Sequence, residues 1–141
     1  MMNALEFLQQ VYMLEQRIET KLRQISILRS LAESVRSFAG DEPVSHTRNV
    51  TALEDSVIKI VEQEKELNAE IDRLVDLKKE IQDVISEVMD MKLRLVLEKR
   101  HLCFESWTQI AAEMGRTERW AQIKHRNALI VVQRILERRM N

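Results

Sequence analysis

With 141 residues, 32% of them charged and 4% aromatic, and with two glycines and one proline, the chain has too little turn punctuation for a β protein. It reads as all-α with long helices. The net charge of −1 hides two opposite halves: residues 92–141 carry 11 Lys/Arg against 5 Asp/Glu, net +6, whereas residues 1–91 carry 11 against 18, net −7. A basic end on an acidic arm suggests nucleic acid at that end, the alternative being cations that merely solvate helix faces.

Cys103 is the single cysteine, so no internal disulfide can form and a reducing compartment is expected. No apolar run approaches the roughly 18–20 residues of a membrane span. The first residues lack a basic stretch followed by an apolar core, so no signal peptide and no membrane partner are expected. Asn49-Val50-Thr51 matches a glycosylation sequon but reads better as helix-start chemistry.

Asn3 with Glu6 is the first capping signal. From there Ala4, Phe7, Val11, Leu14, Ile18, Lys21, Ile25, Leu28, Ala32 and Val35 advance by alternating threes and fours, and all but Lys21 are apolar. That spacing predicts a long amphipathic helix over 3–38, widened by Leu8 and Leu22. Ala39–Val50, with Gly40 and Pro43, has no periodicity and reads as a mobile loop. Thr51 and Glu54 then form a capping box before a second helix over 51–86. Its seam is Leu53, Val57, Ile60, Glu64, Leu67, Ile71, Leu74, Lys78, Ile81, Ile85 and Val88, in which Glu64 and Lys78 belong at an edge or at a register-fixing point. Each helix would run about 54 Å, and an antiparallel hairpin over residues 1–87 is the economical arrangement.

Past Val88 the apolar residues crowd more than one face, as in a helix entering a compact unit, and nothing marks whether the helix from Thr51 to Arg100 is continuous. His101–Glu105 reads as a connection. Ser106 with Gln109 caps the next helix, Ile110 and Ala111 face inward, and Gly115 sits at a turn that needs positive φ. Thr117 caps a last helix with Ala121, Ala128 and Val132 inside, running to Arg138 and Arg139. Glu118, Arg119, Gln122, Ile123 and Arg126 fall on another face. Small residues inside and long polar ones outside suit a helix-turn-helix whose second helix enters a DNA major groove.

The segment from Val88 to Leu136 resembles region 4 of sigma-70-type transcription factors. The resemblance is carried by Leu97-Glu98-Lys99-Arg100, Trp107, Ile110-Ala111, Gly115, Thr117, His125 and Ala128-Leu129. With its long hairpin the chain is similar to phage- and prophage-encoded regulators of Gram-positive bacteria, the ArpU/RinA-like group and related domains. That resemblance implies a sequence-specific DNA-binding transcriptional regulator in the bacterial cytoplasm, with residues 88–141 as the DNA-binding domain. One departure is Lys124, where the pattern places an apolar residue and Ile123 is apolar instead. Either the helix is rotated, or the lysine stem runs along the core.

Arg119 and Arg126 suit guanine, Gln122 suits adenine, and Glu118 suits cytosine or the positive helix start. Arg116 and Lys124 are candidate phosphate contacts, and Thr117 and Ile123 complete the expected DNA-binding set. Their plain alternative is a solvated helix face. Trp107 is expected in the core; Trp120 fits either packing or a partner such as RNA polymerase. His46, His101 and His125 are far apart, and no metal-ligand spacing, phosphate loop or nucleophile motif is present. No enzyme, cofactor, metal or small-molecule substrate is therefore expected. Expected partners are double-stranded DNA, RNA polymerase and further copies of the chain, with a dimer formed through the hairpin. Two rival readings are a small-terminase-like packaging component and an adaptor that binds polymerase without DNA.

Overall fold

The computed structural model describes residues 2–38 and 46–141, with side chains over 2–36 and 50–141. The chain is all-α: among the described residues there are five helices and no strand. In chain order these are α1 (Ala4–Phe38), α2 (His46–Ser86), α3 (Met91–His101), α4 (Trp107–Met114) and α5 (Glu118–Met140). None is long and apolar enough to cross a membrane. Residues 39–45 of the expected loop lie outside the described residues. His46–Val50, read as loop, is instead the start of α2. Thr51 therefore lies inside a helix and does not begin one; the breakers Gly40 and Pro43 lie upstream, and nothing in His-Thr-Arg-Asn-Val stops a helix.

The chain divides into two compact units, Met1–Leu14 with Leu74–Asn141, and Glu15–Arg73. The first unit opens with the predicted cap. Asn3 Oδ1 accepts from Glu6 N–H at 2.8 Å, and Glu6 Oε2 accepts in return from Asn3 N–H at 3.3 Å. Ala4 N–H, free of any helical partner, donates to Gln133 Oε1 of α5 at 2.8 Å, which ties the start of α1 to the last helix.

Two clusters make up this unit's interior. The larger joins Phe7, Leu8 and Val11 of α1, Ile81, Val84 and Ile85 of α2, Leu97 of α3, and Ala128, Val132 and Ile135 of α5. The smaller joins Val96, Ile110 and Ala121, with Trp107, Met114 and Trp120 packed against it. Val96 and Leu97 are neighbours in sequence, about 100° apart on the helix, and each serves a different cluster. That explains the crowding of apolar residues on several faces after Val88. The large cluster also draws on residues well before 88, so the expected boundary at 87/88 falls inside this unit.

The helix from Thr51 to Arg100 is broken. Glu87 N–H and Val88 N–H bond back three residues, to Val84 and Ile85, which tightens and ends α2. Asp90 then caps α3, its carboxylate accepting from Lys92 and Leu93 N–H at 2.8 and 3.1 Å. The Arg94 side chain donates to the Val88 carbonyl at 2.9 Å and fixes the corner.

In the second unit Ile25 and Ala32 of α1 and Leu67 of α2 are buried, with Ile18, Leu28, Leu53 and Ile60 half-buried. Ion pairs Arg17–Glu70 (2.8 Å), Lys21–Glu66 (2.6 Å) and Arg29–Glu64 cross between the helices, the numbers falling on α2 as they rise on α1. Lys21, the one polar residue in the α1 pattern, is thus matched by a carboxylate, and Glu64 sits at an edge with Arg29. Val57 and Ile71 of the predicted seam stay 48% and 39% exposed. A single neighbouring helix covers only one side of the wide apolar face on α2.

Candidate functional site

The expected site is built on α4, the turn after it, and the first half of α5. Ser106 caps α4, its Oγ accepting from Gln109 N–H at 3.2 Å. The helix stops because Gly115 adopts φ 65° and ψ 34°. Gly115 N–H then donates to Ala112 O at 3.3 Å, and Arg116 N–H reaches back to Ala111 O at 2.9 Å. These two bonds satisfy carbonyls that the helix end leaves free. A Cβ at position 115 would meet nothing within 4 Å, so the glycine is required by its backbone angle and not by space.

Thr117 begins α5 as the predicted cap, its Oγ1 accepting from Trp120 N–H at 3.1 Å. The hydroxyl oxygen thus serves the helix start, and its O–H is left to donate. Glu118 is in the first turn of α5, where a carboxylate favours the helix dipole, and it accepts a hydrogen bond from the Thr108 hydroxyl of α4. Glu118 therefore links the two helices.

Beyond the cap, Ala121, Ala128, Val132 and Ile135 are buried, and His125 is half-buried between them in sequence. The opposite side is open. Arg119, Gln122, Ile123 and Arg126 are all exposed, at the i, i+3, i+4, i+7 spacing of one helix face. Three of the four are long and polar and carry hydrogen-bond donors, and Ile123, 41% exposed, offers an apolar contact among them.

Arg116 and Lys124 share a feature absent from the sequence pattern. The Arg116 guanidinium lies 5.5 Å from the Trp120 ring centre and the Lys124 ammonium 5.9 Å from it. Lys124 is half-buried and Ile123 exposed, so the lysine stem lies along the protein while the inward face stays on Ala121 and Ala128. Trp120 is half-buried against the small cluster.

Beneath this surface lies an arrangement that sequence reading missed. His101, at the end of α3, is buried and faces half-buried His125 of α5, with Nε2 to Nε2 at 2.8 Å. The rings stack with centres 5.0 Å apart, and Trp107 meets His125 edge-on, also at 5.0 Å. Arg100 covers the other ring of this group, its guanidinium 4.4 Å from the Trp107 centre and donating to Glu105 O at 2.9 Å. Burial, then the neighbouring His125 and Arg100, push the His101 pKa down to about 3. Burial and Arg100 lower that of His125 to about 4. Both rings are neutral at pH 7, one donating its Nε2–H and the other accepting. No group of three or more His, Cys, Asp or Glu among the described residues could hold a metal ion. The pair thus serves to hold α3 against α5. Lys99, two residues before His101, donates to Glu113 at 2.6 Å and ties α3 to α4.

Phe104 is the one non-glycine residue described with positive φ, at 57°. Its ring packs edge-on against Tyr12 at 5.7 Å and joins the large cluster. The burial of the ring offsets a backbone conformation that a bulky residue rarely takes.

No protein-family model, curated protein or solved structure matches this chain.

Proposed function

We propose that this protein is a non-catalytic, sequence-specific reader of double-stranded DNA, a transcriptional regulator of phage or prophage type. In this reading α4 and α5 form a helix-turn-helix, with α5 as the helix that enters the major groove. The observation that carries it is the exposed row of Arg119, Gln122, Ile123 and Arg126 on the first turns of α5, immediately after a capped tight turn. These residue types recognise guanine, adenine and a thymine methyl group respectively, and their spacing presents them to one groove together. Arg116 and Lys124, held beside Trp120, would supply phosphate contacts. The net +6 of residues 92–141 supplies the sequence-independent attraction. The similarity of Val88–Leu136 to sigma region 4 points the same way.

The α1–α2 pair acts as an antiparallel hairpin that brings a partner to the DNA-bound domain. Its acidic balance keeps it off the phosphate backbone. Because Trp120 is half-buried and already stacked by two cations, it makes a poor anchor for RNA polymerase, and DNA is the favoured partner.

The test is fluorescence anisotropy of the full chain on its own upstream DNA at two salt concentrations, beside a scrambled duplex. Tight binding that weakens steeply with salt and favours the native sequence is expected. Equal affinity for both duplexes would replace this reading with a packaging role. No binding at low salt would replace it with a protein-binding adaptor.

A further inference from the structure

The α2 helix carries more apolar surface than its neighbour covers. Val50, Val57, Val61 and Ile71 are 37%, 48%, 45% and 39% exposed, and none belongs to either buried cluster. With Glu54, Glu64 and Asn68 they advance by alternating fours and threes along one helix: 50, 54, 57, 61, 64, 68, 71. That is the spacing of a helix–helix seam, with 54, 61 and 68 in its a-type positions and 50, 57, 64 and 71 in its d-type positions.

The seam lies on the open side of α2. Leu67 is the buried residue turned toward α1, so Glu66 and Asn68 lie about 100° to either side of it. On the Glu66 side, Glu66 and Glu70 are taken by Lys21 and Arg17, and ion pairs close the crevice. On the Asn68 side Arg29 reaches Glu64 across a wider cleft of about 590 Å³, with Leu22, Ile25, Leu67 and Asn68 also in its wall. Glu64, the one carboxylate inside the 57–71 seam, is already matched by Arg29 of the same chain. It therefore does not bring a bare charge into a new contact.

Asn68 decides what fits here. A lone asparagine at an a-type position, with a β-branched valine at the one before, leaves its amide unsatisfied against any apolar side chain. It is satisfied by an identical asparagine at the same height on a parallel helix, where one amide donates and the other accepts. We propose that the partner of this face is a second copy of the chain, the two α2 helices running parallel and in register through Val57, Val61, Asn68 and Ile71. This rests on reading the α1–α2 pair as an association arm, and it adds partner, stoichiometry and direction. The stretch from 57 to 71 spans about 21 Å, two heptads, so the pair is expected to dissociate on dilution.

The test uses the full chain in sedimentation and in mild oxidation. The parent protein should be a dimer that falls to monomer on dilution. Val61→Lys should be monomeric at concentrations where the parent is dimeric, with unchanged helix content by circular dichroism, because Val61 is already half in solvent. In a Cys103→Ser background, which removes the exposed natural thiol, Asn68→Cys should link nearly completely between copies, whereas Asp55→Cys should remain unlinked. A monomer at all concentrations, a larger ring, a Val61→Lys dimer, or a dimer whose Asn68→Cys stays reduced would each overturn the proposal. Neither readout involves DNA, so failure here is separable from failure of the groove-binding reading.

Discussion

His101 Nε2 and His125 Nε2 lie 2.8 Å apart between α3 and α5, and at most one proton fits between them. Two charged imidazoles at that distance would repel, and Arg100 adds a further positive charge against Trp107 beside them. The contact exists only while the pair is not doubly protonated. The helix that carries the outward row is thus held from behind by two groups that titrate.

Acid should loosen this domain well before carboxylates protonate. Both folded-state values, about 3 for His101 and about 4 for His125, lie below the ordinary 6.5. The unfolded chain therefore binds more protons between those limits, and stability is full above pH 6.5 and falls as pH drops toward 4. At pH 5 the loss is up to about 2 kcal/mol per imidazole. Glu66 and Glu113, whose carboxyls are held low by hydrogen bonds from Lys21 and Lys99, contribute only below their ordinary 4.5. Urea denaturation at pH 7.5 and pH 5 should give clearly different midpoints. Equal midpoints would contradict the neutral, buried pair.

Gly115 gives a second prediction. Its φ of 65° costs any L residue, and the empty space around its Cβ position removes crowding as a cause. Gly115→Ala should lower stability by about 1 kcal/mol, and Gly115→Asn by less, since asparagine enters the left-handed region more readily. Similar urea midpoints for the alanine variant and the parent would count against this account of the turn.

The Thr117 hydroxyl oxygen accepts from Trp120 N–H. Thr117→Ala should cost about 1 kcal/mol, and Thr117→Ser close to nothing, because serine offers the same oxygen. Thermal unfolding of the three proteins distinguishes a cap from a side chain needed for its methyl group, in which case serine would fail as well.

What the sequence disclosed follows from range. The caps at Asn3, Ser106 and Thr117 and the turn at Gly115 are encoded within three or four residues of themselves, and each appears in the structure as expected. The outward row on α5 was legible for the same reason, since helical spacing alone separates Arg119, Gln122, Ile123 and Arg126 from Ala121 and Ala128. The contact of His101 with His125 spans 24 residues and that of Ala4 with Gln133 spans 129, and no local pattern records either. The break before α3 is left open by the sequence because neither Gly nor Pro marks it; Asp90 ends one helix by starting another. That Val57 and Ile71 stay exposed was not legible, because an apolar face wider than one neighbour does not say which of its members that neighbour covers.

The outward row and Arg116 should fail differently when altered. Arg119→Ala or Arg126→Ala would remove a group able to pair with a guanine edge, costing about 1–3 kcal/mol on the preferred duplex and relaxing the preference over a scrambled one. Arg116→Ala would remove a phosphate contact, weakening both duplexes alike and lowering the slope of log affinity against log salt by about one. Arg116 also stacks on Trp120, so its variant needs the same helix content as the parent by circular dichroism before the slope is read. Glu118→Gln sharpens the comparison. If the carboxylate only holds Thr108 and favours the helix start, glutamine should leave the base preference unchanged at a small cost in stability. Anisotropy titrations of these variants on both duplexes at two salt concentrations separate the roles. A salt slope that drops in Arg119→Ala, with the preference intact, would move that arginine from the bases to the backbone and shift the groove contacts toward Gln122 and Arg126.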